Sequence, residues 1–379
     1  MTQRIAARAA AGPPDGEMPG AVTSHDVARL ARVSQATVSR VLRGDMRVRP
    51  ENRERVLKVL AETRYEPNAA ARAFRAGRAD SVGVVVARLS YQLYPAMLEA
   101  IGAQLARLGQ RMIVWDSDHG GDAPAIRALR QGVVDGVILT AATAESEFLR
   151  EVPASGTPVV LLNRVVAEYA SDQVESDNVD GGRRVAEYLL ARGRQRIALL
   201  GGIPRASTIR DRERGFRDAL CRAGASMPPH YCFRSDSFSH GSGVQGAHRL
   251  LELAAPPDAI FCVNDVLAMG AMDGARARGL RVPEDLWIVG YDDIELASWG
   301  AYDLTTVRQP MEQMVGQAID LLLARIADRD RPTEHRCLPN ELVIRRSTAG
   351  AWLSRSNLDA EPASCAAAVP ALPSPKNNH

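Results

Sequence analysis

The chain has 379 residues, of which 46% are hydrophobic and 24% charged, and its formal net charge is +2. This composition is typical of a globular protein with room for two or three domains and a sizeable core. No apolar run reaches the roughly 20 residues of a membrane span, and the N-terminus lacks the apolar stretch of a signal peptide, which predicts a cytoplasmic protein without membrane attachment. The five cysteines have no metal-ligand spacing, so we expect free thiols and no bound metal.

Both ends of the chain are expected to be disordered tails. Residues 1 to 21 and 348 to 379 are rich in Ala, Pro, Ser and Gly and lack hydrophobic periodicity. The region after the first tail is basic, because residues 22 to 78 contain 13 Lys and Arg against six Asp and Glu, a surplus of seven positive charges. A run of arginines can be a solvated face, but in a small helical unit such a surplus favours nucleic-acid binding.

Two short helices are predicted at the start of this basic region. Thr23 can cap a first helix whose apolar residues recur at the spacing of one helix face. Its predicted inward residues are Val27, Leu30 and Ala31. After a short turn, Ser34 can cap a second helix with a similar apolar stripe. Its predicted inward residues are Val38, Val41 and Leu42.

The second helix presents a polar face. Its predicted outward residues are Gln35, Ala36, Ser39 and Arg40. Two short helices joined by a tight turn form a helix-turn-helix unit, whose second helix fits a DNA major groove. Gln can pair with adenine, Arg with guanine, and a small Ala admits a thymine methyl. The pattern therefore predicts a base-reading surface, with a helical hairpin that packs on the larger domain as the alternative.

From residue 80 to 347 the pattern changes to alternating strands and helices. Strands are predicted at 81–87, 111–116, 136–140, 158–163, 196–202, 259–265, 286–292 and 304–308. Helices are predicted at 97–109, 181–193, 212–224, 266–279 and 311–328. Continuous apolar strands separated by helices indicate parallel sheets covered on both faces. Their polar ends favour two sheets facing each other across a ligand-binding cleft.

Several separated motifs occur in one order along the chain. They are DVARLARVSQATVSRVL, RVRPENRERVLKVLAETRYEPNAAARAFRAGR, SVGVVVARLS, VDGVIL, SDNVDGGRRVAEYLL, RERGF, NDVLAMGA, LRVPEDLWIVGYDD and LTTVRQP. Together they resemble the LacI/GalR family of bacterial transcriptional repressors from about residue 22 to 348. The resemblance implies an all-α helix-turn-helix DNA-binding domain followed by an α/β two-lobed, periplasmic-binding-protein-like effector domain.

The resemblance also implies domain boundaries. The DNA-binding domain is expected at residues 22–67, a hinge at 68–79, and an effector-binding and dimerisation domain at 80–347. Within the last of these, the first lobe is expected to comprise 80–162 and 309–332, and the second lobe 163–308 and 333–347. Each lobe is therefore expected to be discontinuous in sequence, and a change in the cleft between them is expected to be the switch.

The DNA contacts that the resemblance implies lie on the second helix and in the hinge. Base contacts are expected from Gln35, Ala36 and Arg40, and phosphate contacts from Ser34, Thr37 and Ser39. The hinge residues Asn68 and Phe74 are expected to bind at the centre of a palindrome, where Phe74 replaces the usual Leu as the minor-groove wedge. Interdomain packing is the alternative for Phe74. Arg32 stands where the family often has Gly in the turn.

Eight effector contacts are implied for the cleft. They are Leu93, Tyr94, Arg164, Thr208, Arg212, Phe238, Asn264 and Asp292. Aromatic rings can cover a sugar face or stack on a planar ring, and Asn264 and Asp292 can bind hydroxyls. Two arginines in one cleft suggest an acidic ligand such as a sugar acid. Alternatively, either arginine pairs with a nearby carboxylate, for which Asp116, Asp177 and Asp292 are the candidates.

The resemblance implies a homodimer that binds double-stranded DNA at a palindromic operator and is released by a small-molecule effector such as a sugar or sugar acid. A corepressor-dependent repressor or an activator, with a nucleobase or other non-sugar ligand, is the alternative. No arrangement of nucleophile and base, GxSxG motif or P-loop occurs, so neither catalysis nor a cofactor is expected. The C-terminal tail lacks leucine heptads, so a tetramer formed through a coiled coil is not expected.

Overall fold

The computed structural model describes residues 22–63, 65, 78–87, 89, 91–117, 122–202 and 205–349, without the side chains of 153 and 154. The chain divides into two compact units between Ala79 and Asp80. Both predicted tails, apart from residues 348 and 349, and the hinge residues Asn68 and Phe74 lie outside the described residues. Within the described residues, no helix is both long enough and apolar enough to span a bilayer.

Among its described residues, the first unit contains three helices. They are α1 (Ser24–Leu30), α2 (Gln35–Leu42) and α3 (Pro50–Thr63). The hydroxyl of Thr23 accepts from the backbone N–H of Asp26, whose carboxylate accepts in return from the backbone N–H of Thr23. Likewise, the hydroxyl of Ser34 accepts from the backbone N–H of Thr37. Both predicted N-caps are confirmed, and they fix where the two helices of the helix-turn-helix begin.

The buried faces of α1 and α2 are narrower than predicted. Its buried residues are Val27, Ala28, Ala31, Val38, Val41, Val48, Val56 and Val59. Leu30 is 55% exposed and Leu42 is 40% exposed, so the prediction that both point inward is wrong. The valines of α3 close the core over the stripe of α1 that passes through Val27 and Ala31. Three short helices can cover only this stripe, and the leucine at its margin stays in solvent.

The turn between α1 and α2 is closed by two hydrogen bonds. Arg32 N–H donates to the carbonyl of Arg29, and Val33 N–H donates to the carbonyl of Ala28. This pattern requires a left-handed residue after the helix end, and Arg32 has φ +52°. After α2 the equivalent residue is Gly44, with φ +73°. Because a side chain opposes this conformation, Arg32 holds about 1 kcal/mol of local strain that Gly44 does not.

The second unit contains parallel sheets. Its strands are β1 (Ser81–Val86), β2 (Arg111–Asp116), β3 (Gly136–Leu139), β4 (Val159–Leu162), β5 (Asp172–Ser176), β6 (Ile197–Gly202), β7 (Cys232–Ser235), β8 (Ala259–Cys262), β9 (Trp287–Val289), β10 (Thr306–Arg308), β11 (His335–Leu338) and β12 (Glu341–Val343). A six-stranded sheet has the order β11-β5-β4-β3-β1-β2, and a four-stranded sheet has the order β7-β6-β8-β9. Within both, neighbouring strands are parallel, while β10 and β12 form an antiparallel pair.

Helices connect most of these strands. They are α4 (Leu93–Arg107), α5 (Asp122–Arg130), α6 (Glu147–Ser155), α7 (Asn178–Ala191), α8 (Ser207–Arg222), α9 (His240–Leu251), α10 (Asp265–Ala277) and α11 (Met311–Ala327), with short 3-10 turns at Pro229–Tyr231 and Glu295–Ser298. The predicted start of α4 at residue 97 is four residues late. Proline is tolerated in the first turn of a helix, so Pro95 does not delay it.

Both faces of the six-stranded sheet are buried, as the continuous apolar strands predicted. Val84 belongs to an apolar cluster with Met314 and Ile319 of α11. Val85, the next residue along β1, belongs to a separate cluster with Phe148 of α6. Successive side chains of a strand point to opposite faces, so a strand that is buried on both faces has no polar alternation.

All eight predicted strands are present, but the predicted lobe boundaries are wrong. The six-stranded sheet continues through β5, so the chain leaves it after Ser176 and not at residue 163. β11 also belongs to this sheet, although residues 333–347 were expected in the second lobe. The sequence DQVES of β5 has almost no apolar signal, because its buried carboxylate at Asp172 is held by Arg325.

Candidate functional site

The predicted DNA contacts of the first unit lie on one short helix and its cap. Ser34, Ala36 and Arg40 are exposed, while Gln35, Thr37 and Ser39 are half-buried. The Arg40 side chain makes no hydrogen bond to any residue that the structure describes, whereas the Gln35 amide donates to the hydroxyl of Ser24 at 3.0 Å. The roles of these residues toward DNA stay predictions.

In the second unit, the eight predicted effector contacts surround one cavity of about 170 Å³. Its lining residues are Ala87, Tyr91, Leu93, Tyr94, Asn163, Arg164, Thr208, Ile209, Arg212, Phe238, Asn264 and Asp292. Most of them follow the carboxyl ends of strands from both sheets or begin the helices that come next. This is where parallel sheets place ligands, because the ends of neighbouring strands meet at one edge. The structure therefore brings the predicted set together, and their contact with a ligand stays a prediction.

Arg212 is fully engaged within the protein. Its Nη2 donates to Asp292 Oδ1 at 2.8 Å, its Nε to Asn178 Oδ1 at 2.9 Å and its Nη1 to the carbonyl of Val263 at 2.7 Å. Its guanidinium carbon also lies 3.6 Å from the ring centroid of Tyr291. Burial is the largest single influence and lowers the pKa of Arg212, but the combined attraction of Asp292, Tyr291 and Tyr91 outweighs it, and the pKa is raised overall. The alternative in which Arg212 pairs with a carboxylate is thus confirmed, and Asp292 balances the charge of Arg212.

Asp292 is the centre of this buried network. Besides Arg212, it accepts from Gln309 Nε2 at 2.6 Å and from the hydroxyl of Tyr91. Its backbone has φ +110°, a conformation that costs energy and is retained mainly at functional sites. Burial, followed by the charge of Asp292, raises the pKa of Tyr91 well above its usual value, so this hydroxyl keeps its proton. Asp292 consequently has a donor on each carboxylate oxygen.

Tyr91 connects the two sheets. It follows β1 of the six-stranded sheet, whereas Asp292 follows β9 of the four-stranded sheet. Sequence reasoning missed Tyr91, although it lies only two residues before the predicted contact Leu93. Its role depends on a partner 201 residues away, which no local pattern reveals.

Two polar groups in the cavity wall have no partner among the described residues. They are Asn163 Oδ1 and Arg164 Nε, both of which are buried. The side-chain nitrogen of Asn163 does donate, to the carbonyl of Thr140 at 3.4 Å, and its backbone has φ +74°. Buried polar groups are almost always hydrogen-bonded, so an unpaired acceptor next to an unpaired donor indicates a place for a polar ligand. Asn163 was missed, although its position at a strand end beside Arg164 was a usable signal.

The rest of the cavity wall is mostly apolar. Leu93 and Tyr94 are 5% and 3% exposed, and the Phe238 ring packs so closely on β6 that a Cβ at Gly202 would lie 2.4 Å from it. Asn264 caps α10, since its Oδ1 accepts from the backbone N–H of Leu267 at 2.9 Å. Its side-chain nitrogen makes no hydrogen bond to the described residues. An apolar wall with a few fixed polar groups is typical of a small-molecule site.

A neighbouring buried carboxylate completes the electrostatics of the cleft. Burial, and then the charge of Asp292, raises the pKa of Asp265 well above its usual value. Its oxygens accept from the hydroxyl of Thr306 at 2.5 Å and from the backbone N–H of Ile294 at 2.9 Å. Among the described residues, no group of three or more His, Cys, Asp or Glu side chains is placed to hold a metal ion.

Comparison with known proteins agrees with both units. The profile of bacterial regulatory proteins of the lacI family matches residues 23–68, and that of a periplasmic-binding-protein-like domain matches residues 186–348. The ribose operon repressor of Haemophilus influenzae is 31% identical over 330 residues, which cover 86% of this chain and 98% of that protein.

Two solved structures resemble most of this chain. A lac repressor dimer bound to operator and the anti-inducer ONPF has a TM-score of 0.77 and 29% identity, covering 87% of this chain and 99% of the other. A complex of the transcriptional regulator CelR with cellobiose has a TM-score of 0.67 and 30% identity, covering 86% of this chain and 99% of the other.

Proposed function

The chain belongs to the lacI family of bacterial regulatory proteins, and on that premise we propose that it represses transcription as a homodimer bound to a palindromic operator. The helix-turn-helix supplies the reading element, and a twofold-symmetric dimer places two such helices in successive major-groove half-sites. The similar lac repressor structure is a dimer on its operator, which supports this arrangement. A protein that binds bacterial chromosomal DNA acts in the cytoplasm. The proposed function includes no chemical reaction.

Base reading is assigned to Gln35, Ala36 and Arg40, and phosphate contacts are assigned to Ser34, Thr37 and Ser39. The exposure of Ala36 in the first turn and Arg40 in the last turn of α2 supports this assignment. A guanidinium without an internal partner can donate two hydrogen bonds to guanine without breaking an existing one. Asn68 and Phe74 keep their proposed roles at the operator centre.

The effector is proposed to be a neutral monosaccharide. The single observation that carries this proposal is the unpaired acceptor Asn163 Oδ1 beside the unpaired donor Arg164 Nε. A sugar hydroxyl both donates and accepts, so it can serve both groups. Because Asp292 balances the charge of Arg212, only one of the two cleft arginines, Arg164, has no salt bridge to the described residues with which an acidic ligand would compete.

The remaining features of the cleft agree with this ligand class. The cavity of about 170 Å³ suits one sugar ring, with Tyr94 and Phe238 against its apolar face. Similar proteins include a ribose operon repressor and a regulator in complex with cellobiose, which agrees with a sugar ligand. Leu93, Thr208 and Asn264 complete the proposed contacts.

We assign the effector the role of an inducer. It can lower operator affinity only through its different affinities for the two states of the cleft. A hundredfold loss of operator affinity requires about 2.7 kcal/mol of this coupling. In the alternative, the protein is a corepressor-dependent repressor or an activator, and the ligand would tighten DNA binding.

The test is a thermal unfolding series with D-ribose, D-glucose, D-gluconate and adenine. A ligand that binds the folded state raises the midpoint, and we expect this for at least one neutral sugar. The shift should be lost in Arg164→Met and kept in Arg210→Met, whose guanidinium is outside the cavity lining. A shift with gluconate alone would make Arg164 a carboxylate partner, and a shift with adenine alone would favour a nucleobase stacked on Phe238. Both results contradict a neutral sugar.

A further inference from the structure

Ser24 and Gln35 are hydrogen-bonded across the helix-turn-helix. Gln35 Nε2 donates to Ser24 Oγ at 3.0 Å, although the two residues are 11 positions apart. Each is the first residue of its helix, Ser24 of α1 and Gln35 of α2, and each is half-buried. The contact therefore joins the start of the first helix to the start of the second.

The Ser24 hydroxyl is not needed to hold its own helix. The N-cap of α1 is Thr23, whose hydroxyl accepts from the backbone N–H of Asp26, and Asp26 returns a hydrogen bond to the backbone of Thr23. Among the described residues, the hydrogen bond with Gln35 is the one that the Ser24 side chain makes. The function of this hydroxyl must then be sought in what it does to Gln35.

A glutamine can read adenine only with a correctly oriented amide. The Oε1 atom must accept from the adenine N6 amino group, while one N–H must donate to adenine N7. The amide nitrogen has two hydrogens, and Ser24 takes one of them. The other hydrogen and Oε1 remain for the base, so the internal contact is compatible with reading.

We propose that Ser24 is a positioning residue, which orients the Gln35 amide for base recognition. This inference rests on the proposed function, in which Gln35 contacts a base. Free Gln35 would have many rotamers, and ordering them on DNA would weaken binding to the preferred base. A side chain that Ser24 already holds in place avoids this loss.

The experiment uses the full chain and an operator selected from a random-sequence duplex pool. Dissociation constants are measured for this operator and for every single base-pair substitution of one half-site. Gln35→Ala first identifies the base pair at which preference depends on Gln35. We expect Ser24→Ala to reduce preference at that same base pair by about threefold to tenfold and to leave the others unchanged.

Three further variants make the result specific. Ser24→Thr keeps a hydroxyl and should keep the preference. His25→Ala alters the next residue of the same helical turn, which makes no side-chain hydrogen bond to the described residues, and should not change that preference. In the Gln35→Ala background, Ser24→Ala should have no further effect, because the group it positions is gone.

Three outcomes would overturn the proposal. A uniform loss of affinity for all operator variants would make Ser24 a contact to the DNA backbone. A loss of affinity that persists in the Gln35→Ala background would show that Ser24 acts without Gln35. Unchanged preference in Ser24→Ala would show that DNA orients the amide unaided. If Gln35→Ala itself changes no base preference, the assignment of Gln35 as a base reader fails as well, and this is seen before Ser24 is tested.

Discussion

Arg40 and Arg212 show how differently the two units use the same side chain. Arg40 on α2 is exposed and makes no hydrogen bond to the described residues, whereas Arg212 in the cleft is 2% exposed and makes three hydrogen bonds. The guanidinium of Arg40 is therefore free to bind a partner, whereas the guanidinium of Arg212 already binds groups of the protein. At Arg40 recognition is separable from folding, and at Arg212 it is not.

The largest effect should come from breaking the buried ion pair. Arg212→Ala leaves Asp292 as a buried, unpaired charge, which should lower the free energy of unfolding by about 3 to 5 kcal/mol. Urea denaturation measures this loss. Arg210→Ala, two residues earlier on α8, removes a guanidinium whose side chain is 54% exposed and should cost about 1 kcal/mol or less. Similar losses for the two variants would contradict the contrast.

A smaller loss is expected when the contact between the sheets is removed. Tyr91→Phe deletes the hydroxyl that donates to Asp292, and a hydrogen bond to a charged group contributes about 1.5 to 3 kcal/mol. Tyr94→Phe is the matched control, because the Tyr94 hydroxyl makes no hydrogen bond to the described residues. We expect thermal and urea unfolding to separate these two variants. Equal stability would mean that the hydrogen bond from Tyr91 to Asp292 is no more favourable than the hydrogen bonds that both groups make to water.

The third prediction concerns the reading surface. Arg40→Ala should weaken operator binding by about 1 to 3 kcal/mol and relax the preference at one symmetric base pair. Its free energy of unfolding should stay within about 0.5 kcal/mol of the parent, because the side chain is exposed and unpaired. Binding assays on operator variants, together with urea denaturation, measure both quantities. A uniform loss across all sequences would instead make Arg40 a phosphate contact.

The smallest effect should be a gain in stability. Arg32→Gly relieves the left-handed strain at φ +52° but adds freedom to the unfolded chain, so we expect a net stabilisation of no more than about 0.5 kcal/mol. Arg32→Ala keeps a Cβ and should not share the gain. Thermal unfolding of the full chain compares them, and equal midpoints would show that the turn stores no strain. In this unit even the turn can be changed without removing a predicted DNA contact.

The sequence predicted the strongly periodic parts of the fold, and it predicted poorly where long-range contacts dominate. The N-caps at Thr23 and Ser34 follow local rules and were found. β5 was missed because a buried carboxylate and its arginine partners replace the apolar signal of a strand. Leu30 was predicted to point inward because helical spacing identifies an apolar face, but it does not show how much of that face the neighbouring helices cover.

The candidate cleft shows the same limit. Family motifs marked eight of the twelve residues that line the cavity, but not which of them are already paired. The bond between Arg212 and Asp292 spans 80 positions, and that between Tyr91 and Asp292 spans 201. Ligand chemistry depends on what these bonds leave unpaired, namely Asn163 and Arg164. That information exists only once the two sheets are brought together.

The measurement that tests the account most directly is selection of DNA from a random-sequence duplex pool by the full chain, followed by sequencing of the bound fraction. The account predicts enrichment of an inverted repeat whose two half-sites share the same preferred bases, with that preference altered at one symmetric position in Arg40→Ala. Failure to enrich any sequence, or enrichment of a single asymmetric site that Arg40→Ala leaves unchanged, would contradict it.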